Sequence, residues 1–515
     1  MQPYDSVTMG KEAVVPSQPA SVASVTTSGM GTRSLPSLSG AFLPVWLWPV
    51  FLVASVMGLL SENPALTSLG ILAVPLLVSL LWRPGEPPIL LACCLMQLLQ
   101  VMTPVFDADL NGEPLESISQ VPMHEQATWL SLVGVLAVAV GMRLALKHRL
   151  GSIAPQLEQE LGGLNLPRVF MAFLASVALA SVCGTLTWQL GGLGQLVLAV
   201  GSLKWAMLWI LIAASVVQGR GYGFAAAALL LEFGVGLLGF FATFKEAFFM
   251  LGIALFSVRR KLSGTVRFGM GVTTVGLICL MIFWQAVKIE YRAFLNQGAG
   301  DQAVRVSVEE RIEKLKQLLE ALDLAAFKKG METLVERVGY TELFAATLQW
   351  VPANEPFAGG ELWKGAVLHP LMPRLLFPNK AEINDSERAR RFTGRTLSGS
   401  EEGTSIGIGY MAESYADFGE VLMFAPVFLL GYVIGHLYRG LSFSGISRMW
   451  GVALAIAALF TTLQALATTG SKLFGAILTT SLVMLLINWY SNRRIQALLG
   501  SAQSFARLSA TNRDR

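Results

Sequence analysis

The sequence predicts an all-α polytopic membrane protein, a bundle of transmembrane helices with one large loop outside the bilayer. Three observations predict this fold class. Hydrophobic residues make up 53% of the 515 residues and charged residues only 14%, against about 25% charged residues in soluble domains. Apolar segments of about 20 residues, long enough to cross a bilayer, recur along most of the chain. Residues 289–419 form one long segment that is too polar to lie in a bilayer.

About twelve apolar windows predict transmembrane helices. Nine windows fall within residues 41–288 and three within residues 420–490. Lys245 and Glu246 interrupt a nearly continuous apolar run over residues 223–258. The windows are residues 41–60, 65–82, 89–106, 127–146, 169–187, 203–218, 223–241, 243–258, 269–287, 420–437, 449–468 and 473–490.

Basic residues in the short loops predict the orientation, because cytoplasmic loops carry an excess of lysine and arginine. In a count of twelve helices these residues share one side: Lys147, Arg149, Arg220, Arg259, Arg260, Lys261, Arg439, Arg448, Arg493 and Arg494. On the opposite side, residues 107–126 contain acidic residues and neither lysine nor arginine. Both termini are therefore expected in the cytoplasm, and the long loop is expected in the periplasm of a bacterium.

The two ends of the chain are predicted to be cytoplasmic tails. Residues 1–40 are rich in Ser, Thr, Gly and Pro and lack hydrophobic periodicity, which predicts disorder. Lys11 and Arg33 flank no apolar region with a small-residue cleavage site, so the first hydrophobic segment is expected to remain as a membrane anchor. Residues 491–515 are expected to form the second tail.

Composition also argues against several other classes of protein. The net charge is only +4, and the basic residues cluster at helix ends, so they describe topology and predict no nucleic-acid partner. The cysteines lie in apolar segments, which disfavours a disulfide framework or a cysteine zinc site; they are Cys93, Cys94, Cys183 and Cys279. The long loop shows no metal-ligand spacing. We therefore expect no cofactor and no metal.

The long loop divides into a helical half and an irregular half. Ser307 and Glu310 form a capping-box pattern, which predicts the start of an amphipathic helix. Gly330 is expected to break this pattern, and a second helix is predicted over about residues 332–350. Prolines then exclude a long regular element; they occupy positions 352, 356, 370, 373 and 378.

Several short segments of the loop resemble one family of membrane enzymes. They are Arg337-Val-Gly-Tyr340, Gly359-Gly360-Glu-Leu-Trp363, Pro373-Arg374-Leu-Leu-Phe-Pro378-Asn-Lys380, Gly403-Thr404-Ser405 and Glu413-Ser-Tyr415-Ala-Asp-Phe418-Gly419. The Pro-Arg…Pro-x-Lys segment and the Glu-x-Tyr-x-x-Phe-Gly ending resemble the O-antigen (Wzy-type) repeat-unit polymerases. The resemblance covers residues 337–420 in detail. Arg388 and Gly399 also echo an Arg-x10-Gly pattern, a spacing that arises easily by chance.

The resemblance implies a membrane glycosyltransferase that joins oligosaccharide repeat units carried on a polyprenyl diphosphate. It implies a GT-C-like bundle in the bacterial inner membrane and a product that is O-antigen or exopolysaccharide. Implied partners are the lipid-linked oligosaccharide, membrane lipids, a flippase and a chain-length regulator. An O-antigen ligase shares the donor and the chemistry and stays open as an alternative. A polysaccharide or lipid transporter is the third class, because twelve helices also fit that function.

Under this resemblance, the loop must stabilise the departing diphosphate. Cationic side chains placed where negative charge develops serve this purpose, and arginine contacts phosphate oxygens in a bidentate way. The first candidates are Arg374 and Lys380, followed by Arg337 and Arg292. Lys245 is a fifth candidate at the outer end of its helix, and it could instead pair with the intramembrane carboxylate of Glu232. The structural alternative for the loop cations is pairing with neighbouring surface acids.

The reaction also needs a base for the acceptor hydroxyl, and Glu413 and His369 are the two catalytic candidates. Histidine titrates near neutral pH, whereas a carboxylate needs burial to raise its pKa into that range. The sequence leaves this choice open. Tyr340 and Tyr415 are candidates for stacking on sugar rings, with core packing as the structural alternative.

Overall fold

The computed structural model describes residues 47–118, 121–147, 152–190, 193–241, 243–258, 264–299, 304–372, 377, 379–380, 383–397 and 405–500. Within these residues the chain forms helices and no β-strand, which confirms the all-α class. The tail predicted over residues 1–40 lies outside them. The last helix continues to Leu499, so the start of the tail predicted from residue 491 is helical.

Twelve helices precede the long loop in the described part of the chain. They are α1 (Leu47–Gly58), α2 (Pro64–Leu81), α3 (Ile89–Asn111), α4 (Leu115–Ile118), α5 (His124–Leu146), α6 (Ala154–Gly162), α7 (Leu166–Gln189), α8 (Gly194–Gly201), α9 (Leu203–Gln218), α10 (Tyr222–Leu238), α11 (Phe244–Phe256) and α12 (Gly264–Leu295).

The long loop and the C-terminal part contain the remaining helices. They are α13 (Val308–Glu320), α14 (Leu324–Val338), α15 (Thr341–Trp350), α16 (Glu361–Leu371), α17 (Asp385–Thr393), α18 (Gly409–Leu422), α19 (Phe424–Phe443), α20 (Arg448–Leu459) and α21 (Gly470–Leu499).

Among the described residues, eight helical segments are long and apolar enough to cross a membrane. They are Pro64–Leu81, Ile89–Asn111, His124–Leu146, Leu166–Thr187, Gly194–Gln218, Phe268–Leu295, Phe424–Phe443 and Gly470–Asn492. The protein is therefore a membrane protein with transmembrane helices. Each of the twelve predicted windows contains a helix. Four of these helices, α1, α10, α11 and α20, have only 12, 17, 13 and 12 residues, so an arrangement of twelve spans stays a prediction.

Helices α5 and α19 pack with their backbones in close contact. A Cβ atom at Gly431 of α19 would collide with the carbonyl oxygen of Val138 in α5, and one at Gly141 of α5 would collide with the carbonyl oxygen of Phe428 in α19. At Gly435 a Cβ would lie 2.8 Å from the carbonyl oxygen of Met142. Small residues permit this approach, which is a common way for membrane helices to associate.

Helix α5 also separates two chemically different ends of the bundle. At its first residue, the His124 imidazole hydrogen-bonds to the hydroxyl of Thr341 in the long loop, with Nε2 2.7 Å from Oγ1. Near its other end, the carbonyl oxygen of Ala145 accepts a 3.3 Å bond from Arg439. Arg448 lies at this second end too, where its backbone N–H donates to Glu160 of α6. The long loop and these basic residues therefore lie at opposite ends of α5.

The helical half of the loop is confirmed in part. The capping box is present: the Ser307 hydroxyl accepts from the Glu310 N–H, and the Glu310 carboxylate accepts from the Ser307 N–H. The predicted break at Gly330 is wrong, because this residue lies inside α14, where a Cβ would be 2.7 Å from the Ile282 carbonyl oxygen of α12. The first helix ends instead at Glu320, before α14, and the predicted second helix over 332–350 is divided between α14 and α15. At this second break the N–H of Tyr340 bonds to the carbonyl of Gln100.

The contact between α5 and α19 leads to a test with two glycines of one helix. Gly431→Ala should lower the melting temperature of the detergent-solubilised protein, because overpacking of this kind costs about 1–3 kcal/mol. Gly440→Ala is the matched control, since a Cβ there meets nothing within 4 Å. Equal melting temperatures for the two variants would contradict the backbone contact.

Candidate functional site

The carboxyl group of Glu413 lies at the junction of α18 and α21. It is 2% exposed, and its Oε2 accepts a 2.6 Å hydrogen bond from the backbone N–H of Gly470, the first residue of α21. Its Oε1 has no hydrogen-bond partner among the described residues. Burial raises the pKa of Glu413 to about 7, although the Gly470 N–H and the charge of Arg388 act in the opposite direction. This group therefore exchanges a proton near neutral pH.

Two charged side chains of α17 contact the start of α21. The buried carboxylate of Asp385 forms a 2.5 Å ion pair with Lys472 and accepts a 3.3 Å bond from Thr469. Arg388, one turn further along α17, lies 3.4 Å from the Ser471 hydroxyl. Its positive charge favours the ionised form of Glu413, whereas the negative charge of Asp385 opposes it. Burial has the largest effect on the pKa of Glu413, and these two residues of α17 modify it in opposite directions.

Two glycines allow the chain to close around Glu413. Gly409 begins α18 with a φ of +79°, and the Tyr340 hydroxyl occupies the space that a Cβ at this position would need. At Gly470 a Cβ would lie 3.0 Å from the Glu413 carboxylate. Tyr340 is buried, and its pKa is raised well above its ordinary value by this burial and by the charge of Glu413. Its hydroxyl also has no hydrogen-bond partner among the described residues.

Asp417 fixes α16 against α18. Its carboxylate accepts bonds of 3.1 and 2.7 Å from the backbone N–H groups of Leu362 and Trp363 in the first turn of α16. These N–H groups have no partners within the helix, so the carboxylate caps it. Asp417 is one turn beyond Glu413 on α18, and the cap therefore sets where α16 lies relative to Glu413.

The other base candidate and the second tyrosine lie near this region in different environments. His369 is partly exposed and lies near the end of α16, which packs against both α18 and α21. Tyr415 is buried, donates a 2.9 Å hydrogen bond to the carbonyl of Val351, and contacts the rings of Phe344 and Phe357. The structure therefore shows Tyr415 packed in the core, and its role as a sugar contact stays a prediction.

Of the two first candidates for diphosphate contact, the structure describes only Lys380. Arg374 lies outside the described residues. Lys380 donates hydrogen bonds to the carbonyl oxygens of His369 and Met372, the latter at 2.9 Å. The ammonium group of Lys380 therefore caps the C-terminal end of α16, where cations are favourable.

The other three predicted cations come together with a fourth on the side of the long loop. Lys245 lies in the first turn of α11, Arg292 in the last turn of α12, and Arg337 in the last turn of α14. Arg337 repels Lys245 and Arg292, and Lys288 is repelled by both arginines. We call Lys245, Lys288, Arg292 and Arg337 the cationic cluster. Glu246 is the acidic residue that acts on Lys245.

Neighbouring contacts explain the arrangement of this cluster. Arg292 donates to the carbonyl of Phe240 at 3.1 Å and its guanidinium lies 5.0 Å from the centre of the Phe240 ring. Lys288 donates to the side chain of Gln285. Glu232 pairs with Lys204 at 2.6 Å, so its cationic partner is not Lys245.

Sequence reasoning missed three residues of these two regions. Lys288 precedes Arg292 by one helical turn, so their i, i+4 spacing on α12 was an available signal. Asp385 is preceded by Asn384, whose side chain caps α17, but no pattern pointed to its contact with α21. Arg388 was noticed only through its spacing to Gly399, and Gly399 lies outside the described residues.

The fold and the site define a helical membrane protein with a buried proton-exchanging carboxyl and a separate cationic cluster. Residues 120–495, more than half of the chain, match the family described as "Domain of unknown function (DUF8712)". The chain belongs to this family. No curated protein and no solved structure matches it.

The buried carboxyl leads to a prediction about stability. A pKa raised from 4.5 to about 7 means that the contribution of Glu413 to stability is full below about pH 4.5 and is lost as the pH rises through 7. The side chain of the Glu413→Gln variant stays neutral at every pH. Over that pH range the free energy of unfolding of the wild type should therefore fall by about 3 kcal/mol relative to this variant. Melting temperatures at pH 5 and pH 8 measure the difference.

The control for this experiment is Glu420→Gln, which alters an exposed carboxyl on the same helix. Its melting temperature should follow that of the wild type at both pH values. A constant difference between the wild type and Glu413→Gln would show that Glu413 does not titrate in this range.

Proposed function

We propose that this protein polymerises oligosaccharide repeat units carried on a polyprenyl diphosphate. The cationic cluster is the observation that carries the proposal. Arg337 repels the other three basic side chains, on α11 and α12, and Arg292 also repels Lys288, at the end of the bundle that bears the long loop. Like charges in one place are unfavourable, and a polyanionic ligand offsets the repulsion. A lipid-linked diphosphate provides such an anion at the membrane surface.

The chemistry of the transfer fits the two regions. The acceptor hydroxyl oxygen attacks the anomeric carbon of the donor, and the bond from that carbon to the diphosphate oxygen breaks. The diphosphate leaves with the bonding electrons, and the cationic cluster stabilises the resulting charge. The hydroxyl proton passes to the base. Glu413 is suited to accept it, since its pKa of about 7 matches neutral pH and its Oε1 is unoccupied by the described residues.

Access to the base distinguishes the two candidates. Glu413 is enclosed, so the helices around its carboxyl have to separate before an acceptor reaches it. Their return around a bound acceptor would exclude water from the reacting groups. His369 is partly exposed without any movement, and histidine is the side chain most often used as a general base. We place the base at Glu413 because of its raised pKa and its unoccupied oxygen, with His369 as the alternative.

The proposal includes a topology. Twelve spans of GT-C-like arrangement would place both termini in the cytoplasm and the long loop in the periplasm, with the protein in a bacterial inner membrane. The gathering of Arg439 and Arg448 at the end of α5 opposite the loop supports this orientation, because cytoplasmic loops are rich in basic residues. A flippase and a chain-length regulator are the proposed protein partners.

Purified protein in lipid nanodiscs, supplied with a lipid-linked repeat unit, tests the proposal. A ladder of products that differ by one repeat unit supports polymerisation. Transfer only to an added lipid A core would assign the protein to the ligases. In sealed proteoliposomes, movement of the substrate across the bilayer without chain growth would assign it to the transporters. Either of these two outcomes would overturn the proposal.

The base is tested by the pH dependence of chain growth. In the wild type, the rate should rise about tenfold per pH unit below pH 7 and level off above it, because only the ionised carboxylate accepts the proton. Glu413→Gln should reduce the rate by about 10²–10⁴-fold and abolish this dependence. Glu420→Gln should behave as the wild type. If His369→Gln alone has these effects, the base is His369.

The cations are tested by alanine variants in the same assay. Lys245→Ala and Arg337→Ala should each reduce kcat/KM for the lipid-linked donor by at least tenfold, the effect of about 1.4 kcal/mol. Lys316→Ala, on the exposed surface of α13, is the control.

Arg374→Ala and Lys380→Ala should abolish chain growth while preserving membrane insertion. Normal polymer length in both of the latter variants would remove these two residues from the site.

A further inference from the structure

A cavity of about 530 Å³ lies between α2, α3 and α11. This volume is within the usual range of about 300–1,000 Å³ for sites that bind small molecules. No lining residue is charged or carries a hydroxyl group, and the lining includes Leu91 and Met96 of α3 and Phe248, Phe249, Gly252 and Phe256 of α11. Such a lining favours a hydrocarbon chain and provides no site for a sugar or an ion.

The cavity and one member of the cationic cluster share a face of α11. The lining residues of this helix follow the helical spacing of three and four positions from Phe248 to Phe256. Lys245 precedes Phe248 by three positions and Phe249 by four, so it lies on the same face, one turn closer to the start of the helix. The lining along α11 is about 12 Å long at 1.5 Å per residue.

Helix α3 forms another wall of the cavity, and along it apolar lining residues are likewise followed by residues near the cationic cluster. Its lining residues extend from Leu91 to Met96. One turn beyond Met96, the carbonyl of Gln100 accepts from the N–H of Tyr340, three positions after Arg337. A further turn on, Pro104 packs against Gly339. Both walls of the cavity therefore lead from apolar side chains to the cationic cluster.

We infer that this cavity holds the first part of the prenyl chain of a polyprenyl diphosphate, with the diphosphate at the cationic cluster. The identity of this lipid rests on the proposed function. The order of the two regions, apolar walls followed by cations one turn further along, matches an amphiphile with a hydrocarbon chain and a polyanionic head. The enclosed length of about 12 Å holds only the part of the chain next to the head. The rest of the chain extends into the bilayer.

Gly252 gives a direct test, because a Cβ there meets nothing within 4 Å although the residue lines the cavity. Gly252→Phe should therefore fill the cavity without collision. The control is Gly276→Phe on α12, where a Cβ also meets nothing within 4 Å and no cavity residue is present. Melting temperatures should show that both variants are folded.

The probe is undecaprenyl diphosphate without a sugar, and its binding to the purified protein is measured by native mass spectrometry and by thermophoresis. Gly252→Phe should weaken binding at least tenfold, and Gly276→Phe should leave it unchanged. Inorganic diphosphate, which has no chain, should bind equally to both variants. Displacement of the probe by an equal concentration of phosphatidylglycerol would overturn the inference, because it would assign the cavity to an ordinary membrane lipid.

This experiment also separates the inference from the proposed function. Binding that depends on Gly252, in a protein that forms no polymer, would support the lipid site and contradict the polymerase. Polymer formation with equal binding of the probe to both variants would support the polymerase and contradict the lipid site.

Discussion

The hydrogen bond between the Gly470 N–H and the Glu413 carboxylate is the interaction on which the candidate site depends. Burying a carboxylate costs several kcal/mol unless it is hydrogen-bonded, and the first N–H groups of a helix have no partners within that helix. Each group therefore provides the hydrogen-bond partner that the other needs. The carboxylate is only partly hydrogen-bonded, because Oε1 has no partner among the described residues. Burial therefore raises the pKa to about 7, while the Gly470 N–H and the charge of Arg388 limit the rise.

The site combines two electrostatic environments of opposite kind. Around Glu413, Asp385 and Asp417 oppose a second negative charge, while Arg388 limits the effect. In the cationic cluster, positive charges oppose one another instead. Interactions of both kinds are strong where little water is present. A reaction that develops negative charge on one group and removes a proton from another uses both environments, whereas a binding site for a neutral sugar needs neither.

Local patterns in the sequence predicted the elements that depend on neighbouring residues. The helical windows and the capping box at Ser307 follow from hydropathy and from the spacing of neighbouring side chains, whereas Lys245, Arg292 and Arg337 were named together only through the family resemblance. Contacts between distant segments could not be predicted in this way. Gly330 is an example, because a glycine that breaks an isolated helix is also the residue that lets α14 approach α12. Lys380 is another, since its capping of α16 depends on the path of the chain after Pro370.

Helix α3 connects the three regions of interest. Its apolar residues up to Met96 line the cavity, Gln97 accepts a 2.6 Å bond from Tyr410, three residues before Glu413, and Gln100 holds Tyr340 beside the cationic cluster. A lipid that fills the cavity therefore contacts the same helix that supports α18. Helix α3 therefore provides part of the cavity wall and also supports α18 and Tyr340 through hydrogen bonds.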